Sequence, residues 1–164
     1  LRALLGRTAS LPALAGEAND LLYASTSPQK YVTAAFVDLD PRTGACRFVG
    51  AGHVDTLVLR ADGQVLTLAS TGMPLGLMPS LTPYGELEVT LAPGDTLVVF
   101  SDGVTEAQDA AEEEYGEDRL SALLRGAVGQ PPAVLIDRIM AAIDAFAGGA
   151  PQFDDITLLV IKMK

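Results

Sequence analysis

Three carboxylates stand where strand-like runs begin or end. Leu97-Val98-Val99-Phe100 is β-branched and aromatic, and it stops at Ser101-Asp102-Gly103, a carboxylate followed by the residue that turns most freely. Fifty residues on, Phe153-Asp154-Asp155 runs directly into Ile156-Thr157-Leu158-Leu159-Val160-Ile161, so here the carboxylates precede the strand. If the two strands are antiparallel neighbours, the end of one lies beside the start of the other, and Asp102 meets Asp154 and Asp155. Carboxylates gathered at one sheet edge outline a hard-cation site, because Mg²⁺ and Mn²⁺ take oxygen ligands. One cysteine and one histidine cannot build a zinc site. Taken alone, Asp-Gly is more often a plain turn than a metal site.

The rest of the chain supplies the frame. Leu1 to Arg7 reads as the tail of a helix, and a second helix is expected from about Leu11 to Tyr23 with Leu14, Ala18, Leu21 and Leu22 as its apolar stripe. Tyr31 to Leu39 and Ala45 to Val49 form a hairpin across Asp40-Pro41-Arg42-Thr43-Gly44. A second hairpin joins Thr56 to Leu59 with Gln64 to Leu68 across Ala61-Asp62-Gly63. Glu86 to Leu91 alternates as a half-exposed strand, and Ala92-Pro93-Gly94-Asp95 turns into Thr96 to Ser101. Asp109 to Glu114 is an acidic, solvated loop. Glu117 to Leu124 and Ala133 to Phe146 read as helices, the latter opened by Pro131-Pro132 and stopped by Gly148-Gly149. Its stripe of Ile136, Ile139, Met140, Ile143 and Phe146 is expected to face a sheet. The final strand, Ile156 to Ile161, is apolar on both faces and is therefore expected to be central. Consecutive hairpins with helices collected towards the two ends argue for α+β and against a parallel βαβ fold.

A chain of 164 residues, 49% hydrophobic, is long enough for one domain with a sizeable core. Its formal charge of −10 argues against nucleic acid or an anionic membrane as main partner. Cys46 has no internal disulfide partner, which suits the cytoplasm and a place in the core. No apolar run approaches the roughly 20 residues that span a bilayer. The start at Leu1, without a methionine or signal peptide, reads as a piece of something longer.

The Asp102 and Asp154 segments resemble metal-binding motifs of the metal-dependent protein phosphatases of type 2C, and in particular their SpoIIE-like branch. Ala51-Gly52-His53, Ser70-Thr71-Gly72-Met73-Pro74-Leu75-Gly76-Leu77 and Phe146-Ala147-Gly148-Gly149-Ala150-Pro151-Gln152 fit the same branch in the same order. The resemblance implies an antiparallel β-sandwich flanked by helices on both outer faces. It implies Asp102, Asp154 and Asp155 as metal residues for two Mn²⁺ or Mg²⁺ ions, with a metal-activated water as nucleophile and no other catalytic residue. It implies Gly52, His53, Gly72, Gly76 and Gly103 as substrate-loop residues, although by residue type His53 reads first as a loop histidine with structural hydrogen bonds and only second as a general acid near the metals. Two departures stand out: Val54-Asp55-Thr56 replaces the usual Asn-Pro-Pro, leaving Asp55 without an assigned use, and a Gly-Asp motif near the start of the family's domain has no counterpart here. The expected domain is thus a single phosphatase-like one over residues 1–164, short of its first strands.

Two functions follow. One is a protein serine/threonine phosphatase acting on a phosphorylated signalling protein such as an anti-anti-sigma factor. The other is a non-catalytic regulatory module that keeps the fold. Neither inserts in a membrane, and an N-terminal sensor or receiver domain and a homodimer both remain open.

Overall fold

A computed structural model of the chain describes residues 10–27, 30–80 and 83–164. The helix expected at Leu1 to Arg7 lies outside them. The chain divides into two compact units, one from the described residues of Leu1–Asp55 and Leu68–Thr90, the other from Thr56–Thr67 and Leu91–Lys164.

The first unit is built on helix α1 (Leu11–Ser25) and a sheet in the order β1-β2-β5, from β1 (Ala34–Leu39), β2 (Ala45–Ala51) and β5 (Leu87–Thr90). Ser10 caps α1 by accepting the Ala13 amide at 3.3 Å, and Pro12 sits in the first turn, where a missing N–H costs nothing. The buried face is Leu11, Leu14, Ala15, Ala18 and Asn19. It packs with Val49, Ala51, Leu75 and Tyr84, while Leu22 is partly buried against the same cluster. Leu21 does not belong to this buried face: it is 58% exposed. The hairpin β1-β2 is antiparallel with Phe36 opposite Val49 and Asp38 opposite Arg47, and the last two form an ion pair. Tyr31 to Thr33 precede the strand proper, and Val32 instead exchanges two backbone hydrogen bonds with Leu75, at 2.9 and 2.8 Å. Cys46 is buried, as expected.

The second unit carries the sheet β4-β3-β6-β7, from β3 (Thr56–Leu59), β4 (Val65–Leu68), β6 (Thr96–Phe100) and β7 (Leu158–Lys162), with helices α2 (Gly116–Arg125) and α3 (Pro132–Ala147). Strand β6 lies between β3 and β7 and is antiparallel to both. Leu57, Val58, Leu97, Val98 and Phe100 fill the core with Leu120 and Leu124 of α2. The buried line of α3 is Leu135, Ile139 and Ile143; Ile136, Met140 and Phe146 flank it half-buried, so the face is rotated slightly from the expected stripe. Gly148 ends α3 in the left-handed region (φ 57°), its amide on the Asp144 carbonyl at 3.1 Å.

Strand β7 is not central: it stands at the end of the described sheet, and Leu159 is 52% exposed. Apolarity on both faces reports what covers a strand, here in part α3, and not its place in the strand order. Among the described residues no helix is long and apolar enough to cross a membrane.

Candidate metal-binding carboxylates and glycine loop

Strand β6 delivers Asp102 and β7 delivers Asp154 and Asp155 to the same end of the sheet, since Phe100 pairs with Leu158. The pairing continues past the strands. Ser101 donates its amide to the Thr157 carbonyl at 3.0 Å, and its Oγ donates to the Asp155 carbonyl at 2.9 Å and accepts from the Thr157 amide at 2.8 Å. One serine side chain thereby holds the aspartate-bearing ends together.

Asp102 opens a 3-10 turn, Asp102–Val104, and its carbonyl accepts from Thr105 and Glu106 at 2.9 and 2.8 Å. Its Oδ1 accepts from the Gly103 amide at 3.0 Å. Asp154 repeats the device, its Oδ1 accepting from the Asp155 amide at 2.6 Å, while Gln152 Nε2 donates to its carbonyl at 2.7 Å. Each carboxylate so has one oxygen held by the following amide, and the second makes no hydrogen bond among the described residues.

Glycine is required at 103 by proximity. A Cβ there would lie 2.6 Å from the Asp155 carbonyl oxygen and 3.2 Å from that of Asp154, both backbone atoms that cannot rotate away. Gly103→Ala is therefore expected to pry the two segments apart, costing about 1–3 kcal/mol and lowering the melting temperature by about 2–10 °C. A thermal melt within about 1 °C of wild type would contradict the contact.

Glu106 joins this group, although its residue type and place suggested no role from sequence. Burial raises its carboxyl above the ordinary value, and the negative charges of Asp102, Glu114 and Asp154 raise it further. The available signal was spacing: four residues after Asp102, a helical turn folds the two together. Asp155 behaves differently from its neighbour. Its main chain ties Ser101 and Asp154, while its exposed carboxylate is not among the charges acting on Glu106.

The donor chemistry fits a hard divalent cation, with oxygen ligands only and an uncompensated negative field. Among the described residues, however, no three His, Cys, Asp or Glu side chains stand close enough to form a metal-holding group. The described residues thus bring two carboxylates, Asp102 and Asp154, to this strand end, fewer than the three of such a group.

The other expected site residues lie in the first unit. Gly52 (φ 63°) donates its amide to the Gly72 carbonyl at 2.8 Å, and a Cβ on it would sit 2.3 Å from the Pro74 ring. Gly72 packs against Tyr84, whose ring a Cβ would meet at 2.3 Å. Gly76 donates to Asn19 Oδ1 at 2.8 Å. The His53 Nδ1 lies 3.4 Å from Thr33 Oγ1, a structural contact. Asp55 acquires a use here, accepting the Ser70 amide at 3.2 Å and tying down the start of the loop that carries Gly72 and Gly76.

Known proteins share this arrangement of elements. The SiaA-PP2C domain of Pseudomonas aeruginosa superposes with a TM-score of 0.82 at 25% identity, covering 93% of this chain and 61% of that one. The phosphatase domain of the cell fate determinant SpoIIE from Bacillus subtilis, in a Mn-presoaked crystal, superposes with a TM-score of 0.70 at 20% identity, covering 99% and 69%. In sequence, protein IcfG of Synechocystis sp. is 30% identical over 131 residues, which are 80% of this chain and 20% of IcfG. The α+β fold with antiparallel sheets is that of type 2C phosphatase domains. The family model of stage II sporulation protein E (SpoIIE) matches residues 1–164, and with the fold this establishes that the chain belongs to the SpoIIE family of PP2C-type phosphatases.

Proposed function

We propose that this chain is a phosphatase-like domain that hydrolyses phosphoserine or phosphothreonine on a signalling protein, for example an anti-anti-sigma factor, with Asp102 and Asp154 holding Mn²⁺ or Mg²⁺ ions, two in the complete site. The observation that carries the reading is the pair of aspartates at neighbouring strand ends, each with a carboxylate oxygen left over, in a chain of this family. Such cations, when bound, neutralise phosphoryl charge and make water a usable nucleophile at neutral pH.

The chain's own residues have separate tasks. Asp102 and Asp154 bind through the free carboxylate oxygens, and the following amides orient them. Ser101 keeps the strand ends in register. Gly103 lets the two segments approach, and Glu106 strengthens the negative field that draws in a cation. No protein nucleophile is needed.

The lack of a three-carboxylate group among the described residues favours a second reading, a regulatory module without turnover. The experiment that separates them is phosphate release from several phosphoproteins by the full-length protein, with Mn²⁺ and with chelator. Release that depends on Mn²⁺ supports the enzyme; no release under either condition supports the module.

A further inference from the structure

The second unit has a small cavity, about 80 Å³, that shares two wall residues, Gly103 and Gln152, with the aspartate site. Its floor is apolar: Ile143 is buried, and Met140 and Ile156 are half-buried. Asp144, exposed on α3, also lines it. So does Phe153, which is 61% exposed.

Size decides what class of occupant fits. Pockets for cofactors and drug-sized ligands run to roughly 300–1,000 Å³, so this one takes a single side chain. Charge decides its sign. Among the described residues none that lines the cavity is basic, and the one carboxylate in its lining is that of Asp144. Two basic residues of the helices are engaged elsewhere: Arg119 of α2 lies 4.7 Å over the Phe146 ring and donates to the Glu114 and Tyr115 carbonyls, and Arg138 of α3 donates to the Gly126 carbonyl. An apolar floor under a carboxylate suits a side chain with a methylene stem and a cationic head. The cavity is lined by Gly103, which follows Asp102, and by Gln152 and Phe153, which precede Asp154, so an occupant would lie beside the aspartates to which the phosphatase reading brings the phosphate.

We propose that this cavity takes a lysine or arginine side chain of the substrate protein, close to the phosphorylated residue, with its stem on Met140, Ile143 and Ile156 and its charge at Asp144. The proposal rests on the phosphatase reading above and narrows it to substrates with a basic residue beside the phosphorylated one.

The test uses the full-length protein with Mn²⁺ and phosphoserine peptides that differ at one flanking residue, lysine, norleucine or glutamate. The lysine peptide should show the lowest KM, about fivefold below norleucine, with glutamate the highest. Asp144→Asn should erase the lysine advantage, and Asp144→Lys should shift the preference towards glutamate. A KM order indifferent to the flanking residue, or unchanged in both variants, overturns the subsite and leaves the phosphatase reading standing. If no peptide is hydrolysed, the phosphoprotein assay above decides that reading, and the methyl NMR signals of Met140 and Ile143 decide the subsite alone. Shifts with the lysine peptide that Asp144→Asn abolishes uphold it; no shift overturns it.

Discussion

Asp102→Asn is expected to end Mn²⁺-dependent phosphate release by the full-length protein, lowering turnover by at least about 10²–10³-fold, the range seen when one preorganised electrostatic contact to a transition state is lost. The substitution is isosteric. The asparagine oxygen can still accept from the Gly103 amide, and the 3-10 turn keeps its two bonds to the residue 102 carbonyl, so the fold should persist. What disappears is charge, and with it the attraction for a hard cation. A second readout needs no turnover: Glu106 owes part of its raised carboxyl to Asp102, so its titration, followed by NMR, should move down towards the ordinary glutamate range in the variant. Turnover equal to wild type excludes Asp102 from the chemistry. An unmoved Glu106 would mean that the two carboxylates are further apart than the structure has them.

That the strand-end position of Asp102 is plain in the sequence, while the place of Glu106 beside it shows only as a spacing of four, follows from how each is encoded. A buried strand needs an unbroken apolar run, and Leu97 to Phe100 has one; the carboxylate that ends it is conspicuous for that reason. The turns were equally legible, because Asp40 to Gly44 and Gly148-Gly149 carry residues chosen for their backbone conformations. Contacts made by polar side chains across long sequence separations leave no such periodicity. Asn19 is one case. It interrupts the apolar face of α1, yet it is 3% exposed, because its amide donates to the Met78 carbonyl and Ser80 Oγ at 3.1 and 2.9 Å while its oxygen accepts from Gly76. Asp55 with Ser70 is another. The misplaced edge strand β7 belongs to a third kind, since strand order is a property of the whole sheet and hydropathy reports only local cover.

Asp95→Ala should destabilise the second unit strongly for a polar substitution, costing about 2–4 kcal/mol and lowering the melting temperature by about 5–15 °C. Asp95 is 2% exposed at the start of β6, at the opposite end of the strand from Asp102. Its carboxylate accepts from Arg60 Nη1 at 2.6 Å, the Ala61 amide at 2.8 Å and the Ala92 amide at 2.9 Å, joining the β3-β4 turn to the turn before β6. Its carbonyl accepts from the Met163 amide at 2.9 Å, which also fixes the end of β7. Alanine would release all three carboxylate contacts at once, whereas Asp95→Asn keeps an acceptor and should cost less. Burial pushes this carboxyl up, but Arg60 and the two amides outweigh it, so it lies below the ordinary aspartate value of 3.8 in the folded protein. A depressed folded value stabilises above the unfolded one, and the contribution disappears as pH falls from about 3.8 through the lower folded value. Melts of wild type and Asp95→Asn should consequently differ at pH 7 and converge below that window. A gap that stays constant into acid would show that the carboxylate's charge is not what holds these turns.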